Sequence, residues 1–169
     1  GAKVGEVIRE VMTQPRDRRR LAGDIVDMRR AIAAEKGEGD RWNLKHAAGG
    51  QVDVEFLAQY LVLAFAQDHP EVADTATARV LAAAERLALL APEDAAVLIR
   101  ACRLYQDLTQ VLRLAVDAHV VPADASPALR ALLARAGEMP DFATLEAHLV
   151  ETQAKVREIF TRILEEAAQ

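Results

Sequence analysis

Between Leu44 and Tyr60 the chain reads Leu-Lys-His-Ala-Ala-Gly-Gly-Gln-Val-Asp-Val-Glu-Phe-Leu-Ala-Gln-Tyr. Two glycines, Gly49 and Gly50, set just before a helix let another backbone or a phosphate approach the free N–H groups of the first turn. Taken alone, that is anion chemistry. Asp53 and Glu55 occupy the same first turn, however, and repel an anion unless Mg2+ or a basic group stands between them. The segment therefore fits a metal-nucleotide neighbour or a cationic partner better. On a helical wheel Asp53 projects with Phe56, Leu57 and Tyr60, so a carboxylate heads the apolar stripe, and Glu55 and Gln59 form a second i, i+4 polar pair at its edge. A plainer reading stays open beside this one. In it Asp53 and Glu55 only complement the helix dipole, at about 0.3 to 1 kcal/mol each, and Gly49-Gly50 is a turn. Lys45 and Arg41 are then surface charges, and Trp42 fills a satellite core.

The rest of the chain offers little competing chemistry. Phosphate-loop, G-x-G-x-x-G, H-E-x-x-H and G-x-S-x-G patterns are absent. The histidines His46, His69, His119 and His148 fall in separate segments and give no metal-ligand spacing, so no metal site is expected. The one cysteine, Cys102, sits on an apolar helical stripe and reads as a buried, unreactive thiol. Glu-x-x-His pairs, which a metal or radical enzyme in a helical bundle needs, are also missing. With 21 Lys and Arg against 26 Asp and Glu, the net charge is -5, which argues against a nucleic-acid partner. No apolar run approaches the roughly 20 residues of a membrane span, and the cytoplasm is the expected compartment. Gly1-Ala2-Lys3, without an initiator methionine, suggests an expression scar or a piece cut from a longer protein.

The elements that must position this segment are helices. In 169 residues, 51% are hydrophobic and only 4% aromatic, with Ala, Leu, Glu and Arg dominant, so an all-α single domain spanning residues 1–169 is expected. A connector helix lies within residues 1–16, with Val4, Val7, Ile8 and Val11 on one face and Pro15 as its stop. A second helix runs over 17–36 on a stripe of Leu21, Ile25, Met28 and Ile32, with Arg18, Arg19, Arg20, Arg29 and Arg30 mostly off it. Residues 37–51 form a Gly-rich loop holding the only Trp, with one short extended piece plausible over 42–45. The helix over 52–68 is apolar nearly all round, which makes it the spine. Asp74 or Thr75 caps a fourth helix carrying Val80, Leu81, Leu87 and Leu90, and Pro92 starts a fifth, with a stripe from Val97 through Cys102 and Tyr105 to Val116. A loop over 119–127, a short helix over 127–136 and a last helix capped by Asp141 and running toward Glu165 complete a bundle of six or seven helices.

The 44–60 segment resembles the motif of the bacterial glutamine synthetase adenylyltransferase/deadenylylase family and of its relative, the uridylyltransferase of PII signal proteins. There a Lys-containing, strand-like piece leads to Gly-Gly, then Asp, an aliphatic residue, Glu, Phe and Gln, matched here by Lys45, Gly49, Gly50, Asp53, Val54, Glu55, Phe56 and Gln59. The similarity extends to Asp27-Met28-Arg29, to Gln59-Tyr60-Leu61-Val62-Leu63 and, more loosely, to Leu104-Tyr105-Gln106-Asp107-Leu108. Members of that family have two halves, each a nucleotidyltransferase domain followed by a helical domain bearing this motif. One half attaches AMP from ATP to a tyrosine of glutamine synthetase, and the other removes it by phosphorolysis. The resemblance implies the helical domain of the C-terminal, adenylylating half. It implies Mg2+ and ATP as cofactors of the parent, with none bound to this piece. Its implied partners are the upstream nucleotidyltransferase domain, glutamine synthetase and PII. The family's catalytic Gly-Ser and Asp-x-Asp have no counterpart here, so no catalytic residue is expected in this chain. Lys45, Gly49, Gly50, Asp53, Glu55 and Gln59 are expected to face the catalytic domain, with Asp53 or Glu55 orienting a basic residue or a metal-bound water. On that view neutralising Asp53 in the parent reduces transfer without unfolding the domain. The rival reading is a freestanding helical interaction module with no catalytic role.

Overall fold

A computed structural model describes Glu6, residues 17–115 and residues 124–169. The connector helix expected within 1–16, Val116 and most of the 119–127 loop lie outside the described residues. Among those described there are six principal helices and no strand.

The first helix, α1 (Arg18–Lys36), starts where the Asp17 carboxylate accepts the N–H groups of Arg19 and Arg20, and ends at Gly37, whose φ of 78° suits a residue without a Cβ. Its buried face is Ala22, Ile25, Val26 and Arg29. That differs from the expected stripe: Met28 is 54% exposed, whereas Arg29 is 2% exposed. Hydrophobic periodicity cannot find a face whose fourth member is a cation. The helix turns that side inward because a buried carboxylate on the next helix needs a counterion.

Residues 40–50 form successive turns, not the extended piece expected over 42–45. Asn43 N–H donates to the Asp40 carbonyl at 3.1 Å, and Ala47 N–H to the Asn43 carbonyl at 2.8 Å. The spine is α2 (Gln51–Phe65), which buries nine of its residues and ends three residues sooner than the sequence suggests. It meets α1, α3 (Thr77–Arg86), α4 (Pro92–Leu114) and α6 (Phe142–Phe160). Helix α3 begins after Ala76, not at Asp74 or Thr75. Asp74 instead accepts the Ala76 N–H at 2.8 Å and holds Arg79. Leu87 and Leu90 follow α3 in the turn that leads to Pro92, and Leu90 is buried there. Ser126 caps α5 (Pro127–Ala136), and Asp141 caps α6 by accepting the Thr144 N–H at 2.7 Å. Helix α6 then widens into a π turn, Thr161–Glu165, and a final turn, Glu166–Ala168, that lies against α1. Leu57, Leu61, Leu81, Leu98, Tyr105, Leu108, Leu145 and Leu149 fill the core between these elements.

Candidate functional site

The glycine pair is used for close approach, but to the chain's own backbone. Gly49 has φ +76°, and a Cβ there would collide with the Gln153 carbonyl of α6. A Cβ on Gly50 would lie 2.5 Å from the Leu44 carbonyl oxygen. The free N–H groups at the start of α2 are taken too. Gln51 N–H donates to Leu44 at 2.8 Å and Val52 N–H to Lys45 at 3.0 Å, while Gly49 N–H donates to Asp53 Oδ2 at 2.6 Å. The anion affinity of this helix start is therefore spent on carbonyls and one carboxylate of the same chain.

Asp53 has no solvent exposure. Its Oδ1 accepts Arg29 Nε at 2.5 Å, and its Oδ2 accepts Arg157 Nη1 at 3.0 Å besides the Gly49 N–H. Arg29 Nη2 also donates to the His46 carbonyl at 3.0 Å and stands 3.4 Å from Glu38, while Arg157 Nη2 donates to Glu38. Two arginines and two carboxylates thus form a neutral tetrad, dry at Asp53 and Arg29 and wet at Glu38. Tyr105, buried on α4, donates its hydroxyl to the Gly49 carbonyl at 2.6 Å. Burial, and then the charge of Asp53, push that phenol well above its ordinary value. From α6, Gln153 Nε2 donates to the Arg41 carbonyl at 2.8 Å. Trp42 stacks on Phe142 with centroids 5.6 Å apart and donates Nε1 to Glu146 at 3.2 Å. The 37–50 segment is clamped between α1, α2, α4 and α6.

The motif divides into an inner and an outer set. Asp53 belongs to the tetrad, Gly49 donates to it and Gly50 packs against the Leu44 and Ala47 carbonyls, and the basic groups that Asp53 orients belong to this chain. Lys45 and Gln59 are exposed and Glu55 is half-buried. Glu55 accepts from Gln51 Nε2 at 2.9 Å, one turn earlier than the expected pairing with Gln59. Glu55 and Gln59 share a cleft of about 440 Å³ with Phe56, Asp74, Thr77 and Val80. Arg79 beside Asp74 holds that carboxyl down at about 2. Across α2, burial and then the charge of Glu55 push the Cys102 thiol up to about 11. Among the described residues no group of His, Cys, Asp or Glu could hold a metal ion. Sequence reasoning did not single out Arg157 or Glu38. It placed Arg29 off the buried face and Tyr105 only on an apolar stripe, although both fall in stretches to which the resemblance extends, more loosely for Tyr105.

Residues 26–164 match the model of GlnD PII-uridylyltransferase. The chain belongs to that family. It is 81% identical over its whole length to the bifunctional glutamine synthetase adenylyltransferase/adenylyl-removing enzyme of Xanthobacter autotrophicus, of which it covers 17%. It is 53% identical over 98% of its length to the protein of that name in a Bradyrhizobium species, and 50% identical over 96% to one in Rhodopseudomonas palustris, covering 17% and 16% of them. The chain therefore spans about a sixth of the length of these relatives. No solved structure matches it. No helix among the described residues is long and apolar enough to cross a membrane.

Proposed function

We propose that this chain is the helical domain of the adenylylating half of a cytoplasmic glutamine synthetase adenylyltransferase/adenylyl-removing enzyme. It would support an upstream nucleotidyltransferase domain that transfers AMP from ATP to a tyrosine of glutamine synthetase. The observation that carries this reading is the 81% identity over the full 169 residues to a protein of that name. The inner half of the motif is committed to holding the fold, which suits a supporting domain. The outer half, Lys45, Glu55 and Gln59, is free to meet a neighbour, and the cleft beside Glu55 and Gln59 is the face proposed to abut the catalytic domain.

Mg2+ and ATP belong, on this proposal, to the rest of the parent enzyme. The donor set here does not fit them: both Asp53 oxygens are taken by arginines and the Gly49 N–H, and Asp74 is held by Arg79. Glutamine synthetase as substrate and PII as regulator are partners of that whole enzyme.

The test is the intact mass of glutamine synthetase after incubation with Mg2+ and ATP, with either this chain or one extended upstream. A gain of AMP only with the extended chain is expected. A gain with this chain alone would overturn the supporting role, and no gain with either would overturn the parent reaction. In the extended chain, Glu55→Gln is expected to lower transfer without lowering the melting temperature, and unchanged transfer would remove the cleft from the domain contact.

A further inference from the structure

A second cavity, of about 160 Å³, lies between α4 and α6 and shares no lining residue with the Glu55–Gln59 cleft. Its floor is Val97 and Ala101, and its rim is Arg100 from α4 with His148, Thr152 and Lys155 from α6. The α6 residues follow one another at i, i+4 and i+7, so one helical face aims all three at the same space. No carboxylate lines this cavity. The Arg100 guanidinium makes no hydrogen bond or ion pair among the described residues. Lys155 has one partner, Glu151 at 2.8 Å, in an exposed i, i+4 pair of the kind that is easily shared or released.

Thr152 adds a hydroxyl to this lining. Its residue is 9% exposed and lines the cavity. Facing it are a guanidinium, an ammonium and an imidazole, which are all donors when protonated. The group that satisfies this set is an acceptor with several oxygens and negative charge. The volume of about 160 Å³ leaves room for a tetrahedral oxyanion.

We infer that the Arg100–His148–Thr152–Lys155 cavity binds a phosphate group, either free or carried on a small metabolite. An adjoining chamber of about 260 Å³ shares Arg100 and His148 and adds Arg103, Asp107 and Glu138. That mixed lining has room and polar groups for the remainder of a phosphorylated metabolite, whereas the smaller cavity can take only its charged end.

The test is a nitrogen-15 NMR titration of the 169-residue chain with inorganic phosphate and, separately, with glycerol 3-phosphate, at constant ionic strength. Saturable shifts are expected at Ala101, His148 and Thr152, with a Kd of about 1 mM or tighter. Equal affinity for the two ligands assigns the site to free phosphate. Tighter binding of the ester, with shifts spreading to 136–139, assigns it to a phosphorylated metabolite. Arg100→Gln is expected to weaken binding at least tenfold, and Thr152→Val, which keeps shape and removes the hydroxyl, severalfold. Arg86→Gln, on exposed α3 surface, should leave it unchanged. Shifts that do not saturate, or that follow Arg86→Gln as closely as Arg100→Gln, would overturn the inference. So would full binding by the Thr152→Val and Arg100→Gln variants.

Discussion

Replacing Asp53 with Asn tests whether the inner half of the motif holds the fold. The carboxylate accepts on both oxygens, from Arg29 Nε on one side and from Gly49 N–H and Arg157 Nη1 on the other. Asparagine keeps one acceptor and turns the other into an NH2 donor, which must then face a donor whichever way the amide is flipped. Arg29, with its side chain 3% exposed, is left in the interior without its nearer carboxylate, and Glu38 lies farther off at 3.4 Å. Removing one partner of a buried ion pair costs about 3 to 5 kcal/mol, a large share of the roughly 5 to 15 kcal/mol that holds a domain together. At about 2 to 4 °C per kcal/mol for a chain of this size, the melting temperature followed by far-UV circular dichroism should fall by roughly 6 to 20 °C. The sequence expectation that neutralising Asp53 reduces transfer in the parent without unfolding the domain predicts almost no shift. A fall of less than about 2 °C would refute the argument from the tetrad and return Asp53 to an outward role.

Gly49→Ala places a Cβ against the Gln153 carbonyl at a φ of +76°, so both strain and collision predict a loss of at least about 2 kcal/mol, measurable by urea unfolding. Tyr105→Phe leaves the buried Gly49 carbonyl without its donor, and about 1 to 3 kcal/mol should be lost while the aromatic packing persists. Cys102, with its thiol pushed up to about 11 by burial, should resist iodoacetamide at pH 8 in the native chain and react at once in urea; rapid native alkylation would contradict its burial. Asp74, held at about 2 against an ordinary 3.8, has a depressed native value, so its contribution is present above pH 3.8 and fades as pH falls toward 2. Arg79→Gln should therefore lower stability at neutral pH, where the pair contributes, and flatten the acid limb, with the two proteins converging as pH falls to about 2.

Most of the bundle was legible because its signals are local. Asp17, Asp141 and Pro92 mark helix starts by chemistry confined to one turn, and the apolar run after Val52 identifies the spine without knowledge of its neighbours. The wheel also placed Asp53 at the head of the buried stripe, where it lies. Its partners were not legible. Arg29 sits among Asp27, Met28 and Arg30, where an average over the turn reads as surface, and Arg157 is 104 residues from Asp53. A pair that distant leaves no periodic trace in either helix. The 42–45 segment misled for a related reason. Trp42 and Leu44 alternate with polar residues as a strand does, but they are buried by stacking on Phe142 and by turns that Asn43 and Asp40 close.

The tetrad also imposes an order of assembly. Arg29 lies 24 residues from Asp53 and Arg157 lies 104, so closing the longer loop costs about 1.3 kcal/mol more entropy on logarithmic scaling. The α1–α2 pair can neutralise Asp53 early, while the neighbouring carboxylate Glu38 waits for α6. Helix α6 is then the closing piece of the bundle, and its arrival removes water from the last open side of the cluster. A chain that has not yet delivered Arg157 carries a half-solvated carboxylate at its centre, and in hydrogen exchange the amides around Val156 should open before those around Leu57.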